Sequence, residues 1–348
     1  MRSRTYQTSY SGLVALTENR SNWFWAMAAI LLFSLMPAVF GSHGLNTLTA
    51  IFVASIGILG LNLLSGVAGQ ISLGHAGFLL IGAYAQAILT TDLKVPSLLA
   101  IFLSGFVAAI ASLVVGIPSL RLKGLYLAIT TLAFTFIVRH VVLFAEGITR
   151  GSEGMPVEAL TVFGYSFKAE VNFYYVALAM LVLFILITLN LMRSRIGRAW
   201  LAVRDHDIAA RAMGIDLIRY KLLAFMVSAF YTGVAGAMVA LHTRFINVDT
   251  FSVLISIEAL AMIIVGGIGR IHGAILGTAL ILFLPELLNA SFGMAGDGFK
   301  TLMADRIYEV KGMMYGVVIL LFLRLEPEGL AGIWRKAKRF WVQWPLSQ

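Results

Sequence analysis

The stretch RSRIGRAWLAVRDHDIAARAMGIDLIRYK, Arg193 to Lys221, lies between two apolar runs, Phe173–Met192 and Leu222–Leu241. It holds seven basic residues (Arg193, Arg195, Arg198, Arg204, Arg211, Arg219, Lys221) against three acids (Asp205, Asp207, Asp216). A basic segment between two bilayer-length apolar runs reads as a cytoplasmic loop, because Lys and Arg accumulate on that side of the membrane. The loop is also patterned. Ala199, Val203, His206, Ala210 and Met213 recur at helical steps, which predicts one amphipathic helix with Arg204 and Arg211 pointing elsewhere. Gly214 stands where a left-handed residue ends a helix. Such a helix lies along the membrane and is available to a partner. The alternative is a solvated basic loop that only fixes topology.

Working outward, the 348 residues are 59% hydrophobic and 12% charged, about half the charge of a soluble domain. The fold class is therefore all-α: a polytopic membrane protein. Spans are expected near Trp23–Phe40, Leu45–Leu64, Leu73–Leu89, Ser97–Val115, Tyr126–Phe144, Phe173–Met192, Leu222–Leu241, Val253–Val265, Ile271–Leu284 and Gly312–Leu325. The run Trp23–Phe40 reads as a first span, not a removed signal. About ten crossings put both termini on one side. The division is an arm over residues 1–22, a transmembrane domain over 23–325 and a basic tail over 326–348. With both termini cytoplasmic, inner segments hold 18 Lys/Arg, counting Arg324 at the inner end of the last span, and outer segments 7, with Arg139 inside a span. Topology thus accounts for the net charge of +9 without nucleic acid.

Two spans are short, and each adjoins a glycine-rich break: Gly66–Gly77 in the first half and Gly266–Gly273 in the second. Interrupted segments in corresponding halves point to a transport pathway and a two-fold internal repeat. Asn62, Gly69, Gln70, Ser72, Gly74 and His75 are the pathway candidates here. Gln70, Ser72 and His75 either hydrogen-bond a solute or satisfy backbone groups freed by the break. Glu258, inside Val253–Val265, is either an ion site or a carboxylate satisfied by nearby helix ends. Gly269, Gly273 and Gly277 fall at i, i+4 and i+8, a stripe for close helix packing.

Other chemistry is missing from the sequence. It carries no G-x-x-x-x-G-K-[ST] phosphate loop, so no ATP site of that kind is expected on this chain. Its six histidines lack H-x-x-x-H spacing, so no metal site is expected, and no Ser/His/Asp set marks a catalytic residue. The chain has no cysteine. The outer segments Glu146–Asn172, His242–Ser252 and Leu288–Lys311 are too short for a capture domain.

Several stretches resemble one family, the permease subunits of ABC importers for branched-chain amino acids, of the LivM type. They are Gly60-Leu61-Asn62-Leu63-Leu64-Ser65-Gly66 continuing through Gly69-Gln70 and Ser72-Leu73-Gly74-His75-Ala76-Gly77, then Pro118 to Ala128, Ser194 to Gly214, Gly266-Gly267-Ile268-Gly269, and Pro327 to Gly332. The resemblance spans about Gly60 to Gly332. It implies that Arg198, Ala199, Val203, Ala209, Ala210, Met213 and Gly214 dock an ATPase, with Ile208 where many ABC importers place Glu. It implies a bacterial inner-membrane subunit working with a second homologous permease, two cytoplasmic ATPases that bind ATP and Mg, and a periplasmic binding protein. Branched-chain amino acids are the implied solute; His75, where urea permeases tend to carry Gln, favours amino acids over urea or amides. The alternative from another class is a stand-alone ion-coupled carrier resting on Glu258.

Overall fold

The computed structural model describes residues 20–119, 122, 124–162, 165–166, 170–294, 307–326 and 328–343. Most of the expected arm, Arg121, Lys123, the loop over residues 295–306 and the last five residues fall outside that set.

The described chain is helical apart from short loops and four two-residue strands. Its main helices are α1 (Arg20–Leu35), α2 (Ser42–Leu61), α3 (His75–Thr91), α4 (Ser97–Ser119), α5 (Leu125–Phe144), α6 (Glu170–Arg193), α7 (Arg195–Asp205), α8 (Asp207–Ala212), α9 (Leu217–Thr243), α10 (Val253–Gly266), α11 (Ile271–Met294), α12 (Ile307–Leu325) and α13 (Gly329–Gln343), with single turns at Met36–Ala38, Glu146–Thr149 and Gly151–Glu153. The strands are β1 (Met155–Pro156), β2 (Thr161–Val162), β3 (Tyr165–Ser166) and β4 (Phe245–Ile246). Five stretches are long and apolar enough to cross a membrane alone: Ser42–Val67, Ser97–Pro118, Leu125–Phe144, Glu170–Arg193 and Leu217–Thr243. Phe24–Ala38, Val253–Gly266, Ile271–Leu287 and Gly312–Phe322 are shorter apolar helices. An all-helical membrane protein is what the apolar runs predict, with fewer full-length spans than a uniform 20-residue crossing implies.

The central helix is α9, packed against α2, α3 and α4. Where α3 crosses it, a Cβ on Gly82 would collide with the Gly233 backbone, so the two helices meet backbone to backbone. Several hydroxyls inside the bundle are satisfied within their own helices. Those of Thr49, Ser104, Thr188 and Thr278 donate to the carbonyl four residues back.

The two short helices, α3 and α10, have a common origin. After α2 a π-turn carries the helix to Val67, and the chain then runs non-helically over residues 68–74 before α3 begins at His75. After α9 the chain runs through residues 244–252 before α10 begins at Val253. Both connectors bury part of their length among the helices: Gln70 and Ser72 in the first, Ile246, Val248 and Phe251 in the second, whose Arg244, Phe245, Asp249 and Thr250 stay exposed. Each therefore re-enters the bundle, and a short helix completes the passage. The N-termini of the short helices meet inside the molecule, where the Ala76 N–H donates to the Ser256 hydroxyl at 2.9 Å. Because α2 ends and α9 begins beside the 193–221 loop, the two units run in opposite directions.

This pairing of halves differs from the one expected. The segment that matches Gly66–Gly77 is 244–252, not Gly266–Gly273. The latter is a tight hairpin between α10 and α11, turned by Gly267 (φ 110°) and Gly269 (φ 82°). Gly269 accordingly lies off the helix. Gly273 and Gly277 alone carry the stripe, packing on the backbone of Gly266 and Met262.

Candidate functional site

The first re-entrant connector is held by its own polar groups and by α5. Ala68 and Gln70 N–H groups donate to Leu63 and Leu64 carbonyls at 2.9 and 3.0 Å. The Leu73 N–H donates to Thr131 Oγ1 at 2.9 Å, and the Gly74 N–H to Ser72 Oγ at 3.2 Å. Gln70 Nε2 donates to the Lys221 carbonyl at 3.4 Å. Non-helical backbone at membrane depth needs such partners, since an unsatisfied group there costs several kcal/mol. Gln70 and Ser72 thus serve the chain's own backbone. His75 is buried, with Nδ1 3.4 Å from Thr232 Oγ1 and its ring against Gly57. Gly74 approaches Thr131 too closely for a larger side chain without displacement.

At the loop end this connector meets the second half of the molecule. Asn62 Oδ1 accepts the Gly269 N–H at 2.8 Å, and a Cβ on Gly66 would strike the Gly269 backbone. Arg204 closes the junction. Its Nη1 donates to the Gly66 carbonyl at 2.8 Å, and its stem covers Gly69. A cleft of about 250 Å³ opens beside it, lined by Gly69 and Gln70 of the connector, Arg204 and His206 of the loop, and Lys221.

The loop itself corrects two expectations. It holds two helices, because His206 adopts an extended backbone (φ −154°, ψ 99°) that separates α7 from α8. Ser194 caps α7 by accepting from the Ile196 and Gly197 N–H groups, and Asp216 caps α9. Gly214 ends α8 with φ +83°: its N–H donates to Arg211 and that of Ile215 to Ala210, a paired left-handed cap.

The second correction concerns the face. Ala199, Val203 and Ala210 are buried within this chain, Val203 and Ala210 in a small cluster with Leu217. The apolar stripe therefore anchors the loop to its own bundle, together with Trp200, whose Nε1 donates to the Tyr220 carbonyl at 2.8 Å. The loop's outward surface carries Ile208 and Met213, each 83% exposed, with Arg198, Ala209 and Gly214 also exposed. Arg204 does not simply point to solvent: although its side chain is 40% exposed, it reaches back to the junction.

The second connector has its own arginine. Arg139, from α5, donates to the Phe251 carbonyl at 3.2 Å and pairs with Asp249 at 3.0 Å. β4 pairs antiparallel with β1, and the Val157 N–H donates to the Arg244 carbonyl. Glu258 is half-buried on α10 and within electrostatic reach of Tyr315 on α12.

Sequence reasoning missed Arg204, Thr131, Thr232 and Ser256 as parts of this arrangement. Ser256 is one of two polar side chains on a short apolar helix, a signal that could have marked it. The others carry no periodic or motif signal of their junction role.

Residues 44–323 match the family described as branched-chain amino acid transport system / permease component. The chain belongs to this family. It is 33% identical over 314 residues to the high-affinity branched-chain amino acid transport system permease protein LivM of Salmonella typhimurium, covering 83% of this chain and 70% of that one. Identity to the Escherichia coli LivM is the same over the same shares. The E. coli LivH is 26% identical over 298 residues, covering 79% of this chain and 89% of its own. No solved structure matches. The family match includes both re-entrant connectors and the loop helices, so the junction around Gly66, Arg204 and Gly269 lies within this permease's family region.

Proposed function

We propose that this chain is the transmembrane permease subunit of an ABC importer that carries branched-chain amino acids across a bacterial inner membrane. The carrying observation is the family match over residues 44–323 together with similarity to proteins named as LivM and LivH. Both chain termini lie on the cytoplasmic side in this reading, as does the 193–221 loop. A second, homologous permease completes the pathway. Two cytoplasmic ATPases bind ATP and Mg and dock on the outward surface of the loop around Ile208 and Met213. A periplasmic binding protein delivers the solute to the end bearing β1 and β4.

The mechanism follows from the junction. A push on α8 reaches α7 through the Val203–Ala210–Leu217 cluster. Arg204 on α7 carries it to the Gly66 carbonyl, where the first connector starts, and to the neighbouring Gly269 turn. The residues that bound the solute's path are thereby tied to the element that feels nucleotide. Binding that favours one arrangement of the ATPases then shifts the connector's populations by the difference in affinity.

The test is leucine uptake into vesicles holding the assembled transporter, with ATP supplied to the ATPases. Uptake is expected to need ATP hydrolysis and to survive collapse of ion gradients. Uptake by this chain alone, driven by a pH gradient, would overturn the reading in favour of an ion-coupled carrier.

A further inference from the structure

The tail helix α13 folds back against the start of α11, and the seam between them is a basic cleft. Its volume is about 460 Å³, and Arg270, His272, Ala331, Trp334, Arg335 and Lys338 line it. Three permanent cations and one imidazole therefore face one space. Two acids stand beside it among the described residues: Glu328, 3.7 Å from Arg270 and in direct contact with Arg335, and Glu326, which pairs with Lys336 at 2.6 Å. That leaves an excess of positive charge at a site shaped to receive something small.

The position selects the ligand class. The cleft lies at the loop end of the α10–α11 hairpin, one residue from the Gly269 turn, where apolar helices give way to charged segments. Ile333 and Trp334 on α13 are 46% and 63% exposed beside it. A helix with exposed Trp and Ile beside Lys and Arg lies in a membrane interface, its rings among the acyl chains and its cations at headgroup level. Arginine guanidinium groups fork onto phosphate oxygens, and a lysine adds a point charge. Zwitterionic headgroups cancel most of that attraction, whereas each basic residue gains on an anionic surface.

We propose that this cleft is a binding site for the phosphate of an anionic phospholipid, with Arg270, Arg335 and Lys338 on the phosphate and Trp334 at the glycerol–acyl boundary. Because Arg270 directly follows Gly269, the lipid rests beside the turn that Asn62 holds. The site is separate from the solute path and from the docking surface around Met213.

The experiment uses the assembled transporter, stripped of lipid in detergent and titrated with dioleoylphosphatidylglycerol or dioleoylphosphatidylcholine. Bound lipid is counted by native mass spectrometry. The expected result is a phosphatidylglycerol molecule that wild type holds and the double variant R270Q/K338Q holds about tenfold or more weakly. R270K/K338R should retain it. K336Q should match wild type, since Lys336 lies outside the cleft and pairs with Glu326 at 2.6 Å. Monodispersity and helical content of the variants guard against loss of fold. Equal binding by wild type and R270Q/K338Q overturns the proposal, as does equal affinity for phosphatidylcholine. Complete displacement by millimolar inorganic phosphate would assign the cleft to a soluble anion instead. Binding by the isolated chain but not by the assembled transporter would assign it to a protein contact.

Discussion

The two re-entrant connectors are built alike and wired differently. Each follows a long helix, runs non-helical with part of its length buried, and ends in a short helix whose N-terminus meets the other's at Ala76 and Ser256. Each has a backbone carbonyl bound by an arginine. For residues 244–252 that arginine is Arg139, on a membrane-length helix, and the β1–β4 pair ties the same connector to the rim. For the first connector the bound carbonyl is Gly66, in the π-turn that leads into residues 68–74, and the arginine is Arg204, on a loop helix whose outer surface is exposed. Both connectors are fastened to α5, the first through Thr131 and the second through Arg139; only the first is also tied to the loop, through Arg204. Under the proposed function, that extra tie is where a push from a cytoplasmic partner would enter.

The strongest way to break this comparison is to fill the junction. Gly66→Leu places a side chain into the Gly269 backbone, so the two halves must separate. We expect uptake to fall up to about a hundredfold, since overpacking costs about 1–3 kcal/mol and the upper end applies where backbone meets backbone. Leucine uptake, with membrane insertion checked by immunoblot, measures it.

Ala210→Asp and Met213→Asp separate the anchored face from the open one. An uncompensated carboxylate in the Val203–Ala210–Leu217 cluster costs several kcal/mol, so Ala210→Asp should lower the thermal midpoint of the isolated chain. Met213→Asp should leave that midpoint unchanged and reduce co-purification of the ATPases. Equal thermal destabilisation by both substitutions would contradict the assigned faces.

The two arginines give the next contrast. Arg204→Ala removes a charge-assisted hydrogen bond of about 1.5–3 kcal/mol, predicting about a tenfold or greater fall in uptake while ATP hydrolysis continues. Arg139→Ala should cost a fewfold and leave the ratio of uptake to hydrolysis unchanged, because β-pairing still holds its connector. The smallest effect belongs to Asp249→Asn. Its carboxylate is 89% exposed, and an exposed pair contributes little, so uptake should change less than about twofold.

The sequence exposed the features that depend on local pattern. Apolar runs marked the helices, the short run before Gly266 marked α10, and Gly214 marked the end of the loop helix. The glycine-rich stretch 66–77 announced a break because φ > 0 at Gly69 and the close approach of Gly66 both demand glycine. Residues 244–252 were legible as part of an outer segment, not as the partner of 66–77: Asn247 turns the chain locally by accepting the Thr250 N–H at 2.8 Å, but the ties to Arg139 and β1 are tertiary and leave no local signal. The apolar stripe through Ala199, Val203 and Ala210 was legible as a stripe, but periodicity does not say which neighbour covers it. Arg204 looked like any loop arginine because its partner is a backbone carbonyl 138 residues away.

The proposed coupling requires the loop and the first connector to move together, against the Leu73–Thr131 tie to α5, while the second connector stays with α5. The cysteine-free chain allows a direct measurement by paired spin labels in the assembled transporter. One pair is placed at Ile71 and Met213, the other at Ile71 and Asp249, all exposed positions. On trapping the ATP-bound state, the Ile71–Met213 distance distribution should hold still while the Ile71–Asp249 distribution shifts. A changing Ile71–Met213 distance with a fixed Ile71–Asp249 distance would contradict the account.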